Sequence, residues 1–379
     1  MQKKVIALAV AGLVSGSAFA QSNVTIYGLV DVGVTYVTAD GKNSGWAIDN
    51  GLLSGSRLGF KGQEDLGNGL KAIFTLEYML QPDANTGVGA IGPWTGSASR
   101  QTYAGLSSDK WGTVVAGRLQ GAGYNFTCAF NGPFAGSAFD TIGKLGLATT
   151  LSCGTGGRHN DAVAYVSPNF SGFSFEYNHA RVTEEATRGV AIASPAVGAN
   201  DMTDDNYANN FGLNYANGPL KIGGVYAAIS RRANNGNTGA GYTGTDNDID
   251  EWGLGASYDF GVAKIYGSWQ NQDVDNTPAA SGDKYSLGVT VPVLSKGAVS
   301  LGYAKSSVDV GNSDADAWAL LFTYDLSKRT TLYTGYTALS NDGAAGRGIV
   351  TATTAINGIG QPMFGGDASV FAAGIRHSF

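Results

Sequence analysis

Alternation of apolar and polar side chains, repeated over short stretches, is the feature that most restricts the fold of this chain. In residues 24–36 the apolar side chains share one face of an extended strand: Val24, Ile26, Val30, Val32, Val34 and Tyr36. Residues 70–78, 285–291 and 318–324 repeat the pattern. Residues 371–379 repeat it with Phe371, Ala373, Ile375, His377 and Phe379 on one face. This pattern predicts strands with two unlike faces, and we expect the last strand to pair with residues 24–36.

The connections between these strands alternate in length. Short turns rich in Gly, Asn and Asp are expected at residues 65–69, 108–112, 168–172, 216–219, 259–261, 294–297 and 327–329. Long polar loops are expected near residues 38–54, 81–98, 120–157, 183–206, 231–249, 272–282, 308–314 and 341–367. A soluble sandwich also alternates, but short turns at one end and long loops at the other favour a transmembrane β-barrel. Seven turns and eight loops join sixteen antiparallel strands, which leaves room for an aqueous channel.

Residues 1–20 have the pattern of a secretory signal. Lys3 and Lys4 precede an apolar run at residues 5–14, and Ala18 and Ala20 fit a small-residue cleavage site. A retained anchor helix is the alternative, but the run is shorter than the ~20 residues that a membrane helix requires. The signal predicts a protein outside the cytoplasm whose mature chain, residues 21–379, forms one domain.

The composition favours a barrel over a soluble domain. The chain has 57 glycines, 18 tyrosines and 16 phenylalanines, and only 14% of its residues are charged. These residue types suit curved strands and interfacial aromatic girdles. Without the two lysines of the signal, 22 basic residues face 30 acidic ones, which argues against a nucleic-acid partner.

Four stretches of the sequence resemble the trimeric general-diffusion porins of Gram-negative outer membranes. They are Thr25-Ile-Tyr-Gly-Leu-Val-Asp31, residues 56–77, residues 100–107 with 112–118, and Gly374-Ile-Arg-His-Ser-Phe379. The resemblance extends to the residues themselves at both ends of the chain and in the first five strands. Strands seven to fifteen match in their alternating pattern more than in residue identity. It implies an all-β, 16-stranded barrel with short periplasmic turns and long extracellular loops in the outer membrane.

The resemblance also implies partners and a constricting loop. Each subunit of a homotrimer would carry its own pore, narrowed by an inward-folded third loop at residues 120–157. Outer-membrane lipid and lipopolysaccharide would surround it. Phe379 resembles the terminal signal that the barrel assembly machinery reads. The loop has Pro133-Phe-Ala-Gly136 where many relatives carry an acidic motif, so one glutamate that affects selectivity is absent.

Charged residues of the expected constriction follow from matching the motifs. The basic positions are Arg57, Arg100 and Arg158, with Lys61 deeper on the same face as Arg57, and Asp140 is the carboxylate clearly inside the third loop. The alternative is that these arginines are rim charges or structural ion-pair partners. Arg118 shares a face with Val114 and Ala116, so we expect it to point outward, at a trimer interface or in a structural role.

The distribution of charged residues predicts that a channel for small hydrophilic solutes would prefer anions. Acidic residues crowd the outer loops, where a Debye length of ~8 Å screens them from the pore. A substrate-specific porin for small organic anions is the nearest alternative. An enzyme is not expected, since His159, His179 and His377 lack indicated catalytic partners. We expect no cofactor and no metal site, although a calcium ion among the acidic outer loops stays open.

Both cysteines, Cys128 and Cys153, lie in the third loop. An oxidising compartment permits a disulfide between them, which would pin the constricting segment. Two free thiols are the alternative.

Overall fold

The computed structural model describes residues 23–84, 88, 90–91, 94–97, 99–181, 207–231, 247–349 and 362–379. Its main sheet closes on itself, because every strand pairs with its neighbours in the chain and the first strand also pairs with the last. The sixteen antiparallel strands are β1 Asn23–Ala39, β2 Gly45–Asn50 with Arg57–Gly67, β3 Leu70–Met79, β4 Ser99–Ser108, β5 Gly112–Gln120, β6 Arg158–Val166, β7 Phe173–Arg181, β8 Tyr207–Asn217, β9 Leu220–Arg231, β10 Asn247–Asp259, β11 Lys264–Val274, β12 Gly282–Val293, β13 Gly297–Val308, β14 Ala315–Asp325, β15 Thr330–Asn341 and β16 Ala368–Ser378. The predicted barrel and strand number are confirmed.

Short turns and long connections alternate between the strands as predicted. All seven expected turns fall between consecutive strands, from the one that joins β2 to β3 to the one that joins β14 to β15. The predicted signal at residues 1–20 and the expected loop at residues 183–206 lie outside the described residues. Within the described ranges, no helix is long and apolar enough to cross a membrane.

Two of the expected loops contain strands. The expected loop at residues 38–54 is wrong in its interior, because Gly45–Asn50 pairs with β1 over Val32–Val37 and forms the first part of β2. Residues 51–56 then leave the sheet before Arg57 resumes it. The loop at residues 81–98 contains a small hairpin of Ala90–Ile91 and Trp94–Ser97. Strands of two to six residues are too short to be predicted from alternation in the sequence.

The two faces of the strands differ as the alternation requires. On β10, the side chains of Trp252 and Leu254 are exposed on the outer surface. The alternate positions Gly253 and Gly255 face the lumen, where aromatic rings of the third loop contact them. Aromatic pairs across neighbouring strands, such as Tyr226 with Trp252 at 4.2 Å between ring centroids, add to the outer surface. The apolar outer band is the surface that a bilayer would cover.

The barrel closes between β1 and β16, which pair from Leu29 with Ser378 to Ala39 with Ala368. The terminal residue completes this seam through two backbone hydrogen bonds: Phe379 N donates to Gly28 O at 3.0 Å, and Gly28 N donates to Phe379 O at 3.2 Å. The ring of Phe379 lies directly over Gly28, since a Cβ at this position would come within 2.5 Å of the ring. The seam therefore requires glycine beside the terminal phenylalanine.

We predict that Gly28→Val weakens barrel closure. The added side chain would meet both the backbone carbonyl of Arg57 and the ring of Phe379, and overpacking of this kind costs about 1–3 kcal/mol. The folded fraction should fall in a heat-modifiability gel assay after refolding into detergent. Gly311→Val is the matched control, because nothing lies within 4 Å of a Cβ built at Gly311. Equal folded fractions for both variants would contradict this role for Gly28.

Candidate functional site in the barrel lumen

The connection between β5 and β6, residues 121–157, lies against the inner face of the barrel and is called the inner loop below. It contains the helix α1 at Ala122–Phe130 and three short 3-10 turns, Gly132–Phe134, Ile142–Leu145 and Thr155–Gly157. Helix α1 contacts β8 and β9, and the second 3-10 turn contacts β12, β13 and β14. The predicted inward fold of this loop is therefore present.

Aromatic side chains of the inner loop sit on glycines of the barrel wall. Phe126 lies over Gly253, and Phe130 lies over Gly223 and Gly255. Further along the loop, Phe134 lies over Gly302 and Phe139 over Gly335. In each pair a Cβ on the glycine would come within 2.7 Å of the ring, so only glycine leaves the required space. The phenylalanines are 0–3% exposed, so this packing fixes the loop against β9, β10, β13 and β15.

Hydrogen bonds hold the loop at two further places. Glu251 of β10 accepts from the backbone amide of Thr150 at 2.8 Å and from the amide of Thr149 at 2.5 Å. At the far end of the loop, the amide of Ala138 donates to the carbonyl of Leu52 at 2.7 Å. The loop thus spans the lumen from β10 to the segment that interrupts β2.

A disulfide joins Cys128 of α1 to Cys153 in the returning part of the loop, with the two Cα atoms 5.1 Å apart. The disulfide predicted from the sequence is therefore present in the structure. Tyr124 lies one helical turn before Cys128, on the same side of α1. The crosslink holds this face of α1 beside residues 152–157.

Asp140 stabilises the inner loop from within. Its carboxylate accepts from Asn131 Nδ2 at 2.6 Å and from the amides of Gly136 and Gly143 at 2.7 and 2.8 Å. Asp140 is 7% exposed, and its hydrogen-bond donors all belong to the inner loop, so its carboxylate serves the structure of the loop. Nearby, burial lowers the pKa of Lys144 to about 8, and the charge of Asp140 opposes that shift. These two charges belong to the interior of the loop.

Arg57, Arg100 and Glu77 form an ion cluster on the wall of β2, β3 and β4. Arg100 Nε donates to Glu77 Oε1 at 2.7 Å, and Arg57 Nη1 lies 4.0 Å from the same oxygen. Tyr27 donates its hydroxyl to Glu77 Oε2 at 3.0 Å. The side chain of Arg57 is 22% exposed, whereas those of Arg100 and Glu77 are 8% and 5% exposed. Arg57 is therefore the member of the cluster that is most open to the lumen.

A β-bulge brings Arg100 into this cluster. Leu76 of β3 pairs with Thr102, but Tyr78 pairs with Ser99, so β4 carries one extra residue between these pairs. In an uninterrupted strand, Arg100 would share the outer face of Ala104 and Leu106. Bulges redirect side chains in this way beside functional sites.

Arg158, the first residue of β6, joins the cluster at the end of the inner loop. Its Nη2 donates to the hydroxyl of Tyr124 at 3.0 Å, and its Nη1 donates to the carbonyl of Gly154 at 3.2 Å. The guanidinium also stacks on the ring of Tyr124, 4.7 Å from its centroid. Arg158 lies within electrostatic range of Arg100 and Glu77. It therefore links the helix, the returning segment and the charged wall.

A second bulge, in β6, determines the surroundings of Arg118. Gly117 pairs with Ala162 and Leu119 with His159, which leaves one extra residue in β6 opposite Arg118. Arg118 donates to the carbonyl of Ser99 at 2.9 Å and to Asn160 Oδ1 at 2.6 Å. These bonds tie β4, β5 and β6 together, which agrees with the structural role considered for this residue.

The structure brings together three of the five residues expected at the constriction: Arg57, Arg100 and Arg158. Lys61 lies nearer the short turns than Arg57, with its Nζ 5.3 Å from the centroid of the ring of Tyr27, whose hydroxyl donates to Glu77. Two members of the cluster, Glu77 and Tyr124, were not singled out in the sequence. Glu77 lies in the motif of residues 56–77, and its polar position within an alternating strand was the signal that could have identified it. Among the described residues, no group of three or more His, Cys, Asp or Glu side chains could hold a metal ion.

Comparisons with known proteins agree with this architecture. A model of the Gram-negative porin family matches residues 7–344. The chain is 33% identical over 389 residues to outer membrane porin protein 32 of Delftia acidovorans, with 100% of both chains covered. The structure of an anion-selective porin from Comamonas acidovorans has a TM-score of 0.73 at 29% identity, over 95% of this chain and 100% of that one. The trimer form of OmpT from Vibrio cholerae shares the fold, with a TM-score of 0.63 at 15% identity over 94% and 99% of the two chains.

A closed sixteen-stranded barrel with an inward-folded loop and a charged lumen is a channel of the outer membrane. This chain belongs to the Gram-negative porin family.

We predict that removing the disulfide with the double substitution Cys128→Ser and Cys153→Ser leaves the barrel folded but loosens the inner loop. A crosslink over 25 residues contributes about 3 kcal/mol in the chain-entropy model. The wall-packed phenylalanines would remain, so the open-channel current of the variant should show more noise in planar bilayers. Reductant should raise the noise of the wild type to the same level and should cause no further increase in the variant. Quiet currents in the variant would contradict the restraining role of the disulfide.

Proposed function

We propose that the channel carries small hydrophilic solutes by passive diffusion and prefers anions, with the arginine cluster at its constriction. The observation that supports this proposal is the charge balance of the cluster. Three guanidinium groups converge beside the inner loop, and among the described residues Glu77 is the one carboxylate paired with them. The local charge is therefore about two units positive.

Local charge outweighs the negative charge of the whole chain in this proposal. The formal net charge is −6, but the screening length is about 8 Å at physiological ionic strength. A fixed charge ~5 Å from a passing ion contributes roughly 1–3 kcal/mol at effective dielectric constants of 20–80. Arg57, the most exposed member of the cluster, would act on a passing ion most directly. The anion-selective relative from Comamonas acidovorans supports the same preference.

The proposed assembly is a homotrimer with one pore per subunit. The exposed apolar residues on the outer face of the barrel supply surface for lipid, lipopolysaccharide and neighbouring subunits. Residues 1–20 would act as a cleaved export signal. Phe379, seated on Gly28 at the seam, would be read by the barrel assembly machinery.

The deciding experiment is the reversal potential of the purified protein in planar bilayers under a salt gradient. We expect a potential of the sign that anion flux produces, with a conductance linear in salt concentration. A clear cation preference would refute the proposed selectivity. Saturation or block by one small organic anion would instead favour a substrate-specific channel.

We predict that Arg57→Gln lowers the anion-to-cation permeability ratio by about threefold or more, because the most exposed guanidinium no longer faces passing ions. The matched control is Lys305→Gln, which removes the same charge from an exposed position near the long-loop end of β13. The reversal potential of the control should equal that of the wild type. Equal shifts in both variants would show that total charge, rather than the cluster, sets the preference.

A further inference from the structure

The segment that interrupts β2, residues 51–56, is called the inner turn here. The strand β1 pairs with the first part of β2 up to Val32 with Asn50, and with the second part from Leu29 with Arg57. Six residues of the inner turn therefore stand opposite only two residues of β1. The surplus chain bends into the lumen, where Leu52 and Leu53 pack with Phe134 and Phe139 of the inner loop.

One residue of β1, Asp31, makes most of the polar contacts that shape the inner turn. Its Oδ2 accepts from the amides of Leu53 and Ser54 at 2.8 and 2.6 Å. Its backbone carbonyl accepts from the amide of Gly51 at 2.9 Å and from Ser56 Oγ at 3.2 Å, and its amide donates to Ser56 Oγ at 3.0 Å. Backbone atoms of Asp31 thus hold both ends of the turn, and its carboxylate holds the centre.

The carboxylate of Asp31 is held in turn by the opposite side of the seam. Tyr333 of β15 donates its hydroxyl to Asp31 Oδ1 at 2.5 Å. Asp31 is fully buried, and its side chain accepts three hydrogen bonds in all. An asparagine at this position could accept at one oxygen only and would direct its own amide hydrogens at donors. The site therefore requires a carboxylate rather than a residue of similar shape.

The inner turn touches both arginines of the wall. The carbonyl of Gly55 accepts from Arg57 Nε at 2.9 Å. A Cβ on Gly55 would lie 2.9 Å from Arg100 Nη1, so the turn backbone lies directly against that guanidinium. On its other side, Leu52 O accepts the hydrogen bond from Ala138 of the inner loop. The turn is thus in contact with the arginine cluster and with the loop that faces it.

From these contacts, we propose that Asp31 is a positioning residue for anion selectivity, acting through the inner turn on Arg57 and Arg100. The inference rests on the proposed function of the arginine cluster. Asp31 does not meet the permeating ion, because its side chain is buried behind the turn. It fixes the turn, and the turn fixes where the two guanidinium groups stand.

The proposal makes a prediction whose sign differs from that of simple charge counting. Replacing Asp31 with Asn removes a negative charge from the barrel, so charge alone would raise the preference for anions. Loss of the turn geometry would instead let Arg57 move away from the ion path. A charge that moves from ~5 to ~8 Å changes the local ion concentration by about two- to threefold at effective dielectric constants of 40–80.

The test measures reversal potentials of Asp31→Asn and Tyr333→Phe in a salt gradient. We expect Asp31→Asn to lower the anion-to-cation permeability ratio by about two- to threefold. Tyr333→Phe, which keeps every charge and removes one of the three hydrogen bonds, should lower the ratio by a smaller factor. If Asp31→Asn fails to fold, the result for Tyr333→Phe still decides. An unchanged or increased ratio in whichever variants fold would overturn the proposal.

A double-variant comparison separates positioning from general loosening of the barrel. In an Arg57→Gln background, Tyr333→Phe and Asp31→Asn should change the ratio less than they do in the wild type, since one of the positioned groups is gone. Equal effects in both backgrounds would refute action through Arg57. The reversal potential of the wild type alone tests the proposed function. If the wild-type channel lacks an anion preference, the proposed function is refuted whatever the variants show.

Discussion

The architecture of the lumen depends on the packing of aromatic rings against glycines. Four phenylalanines of the inner loop occupy spaces on the barrel wall that exist only because those wall positions have no side chain. Rings buried in this way resist movement, since shifting one would leave a cavity or force a clash. The loop is therefore a fixed part of the wall, and a single disulfide holds its two arms together.

The inner loop, packed on the barrel wall, holds the charged cluster in place. Arg158 bridges the helix and the returning arm of the loop, while Arg57 and Arg100 share Glu77 on the nearby strands β2, β3 and β4. Like charges at close range repel, so the arrangement needs Glu77, the stacked ring of Tyr124 and backbone carbonyls to stabilise it. What remains is an excess of positive charge beside the passage, with Arg57 the most exposed member. An anion preference in a chain of negative net charge follows from that placement.

The sequence predicted the barrel, its strand number and its closure, because alternation and turn chemistry are local properties. It also predicted the inward loop, through a family resemblance, and the disulfide, from the position of both cysteines in one loop of an exported protein. It did not reveal the interruption of β2 or the bulge at Arg100, since an extra residue in a strand leaves no compositional mark. It did not indicate the hydrogen bonds of Asp140, because two of its three donors are backbone amides of nearby residues, which any sequence supplies. The pairing of Glu77 with the arginines cannot be predicted in the same way, because pairing across strands depends on register.

The central claim is that the arginine cluster is the place where the channel meets its anions. Anomalous diffraction from crystals soaked in bromide tests it most directly, because it locates the anion without a substitution. The account predicts bromide within hydrogen-bond distance of the Arg57 guanidinium, beside Arg158 and the inner loop. Bromide bound elsewhere along the lumen, with none at the cluster, would contradict it.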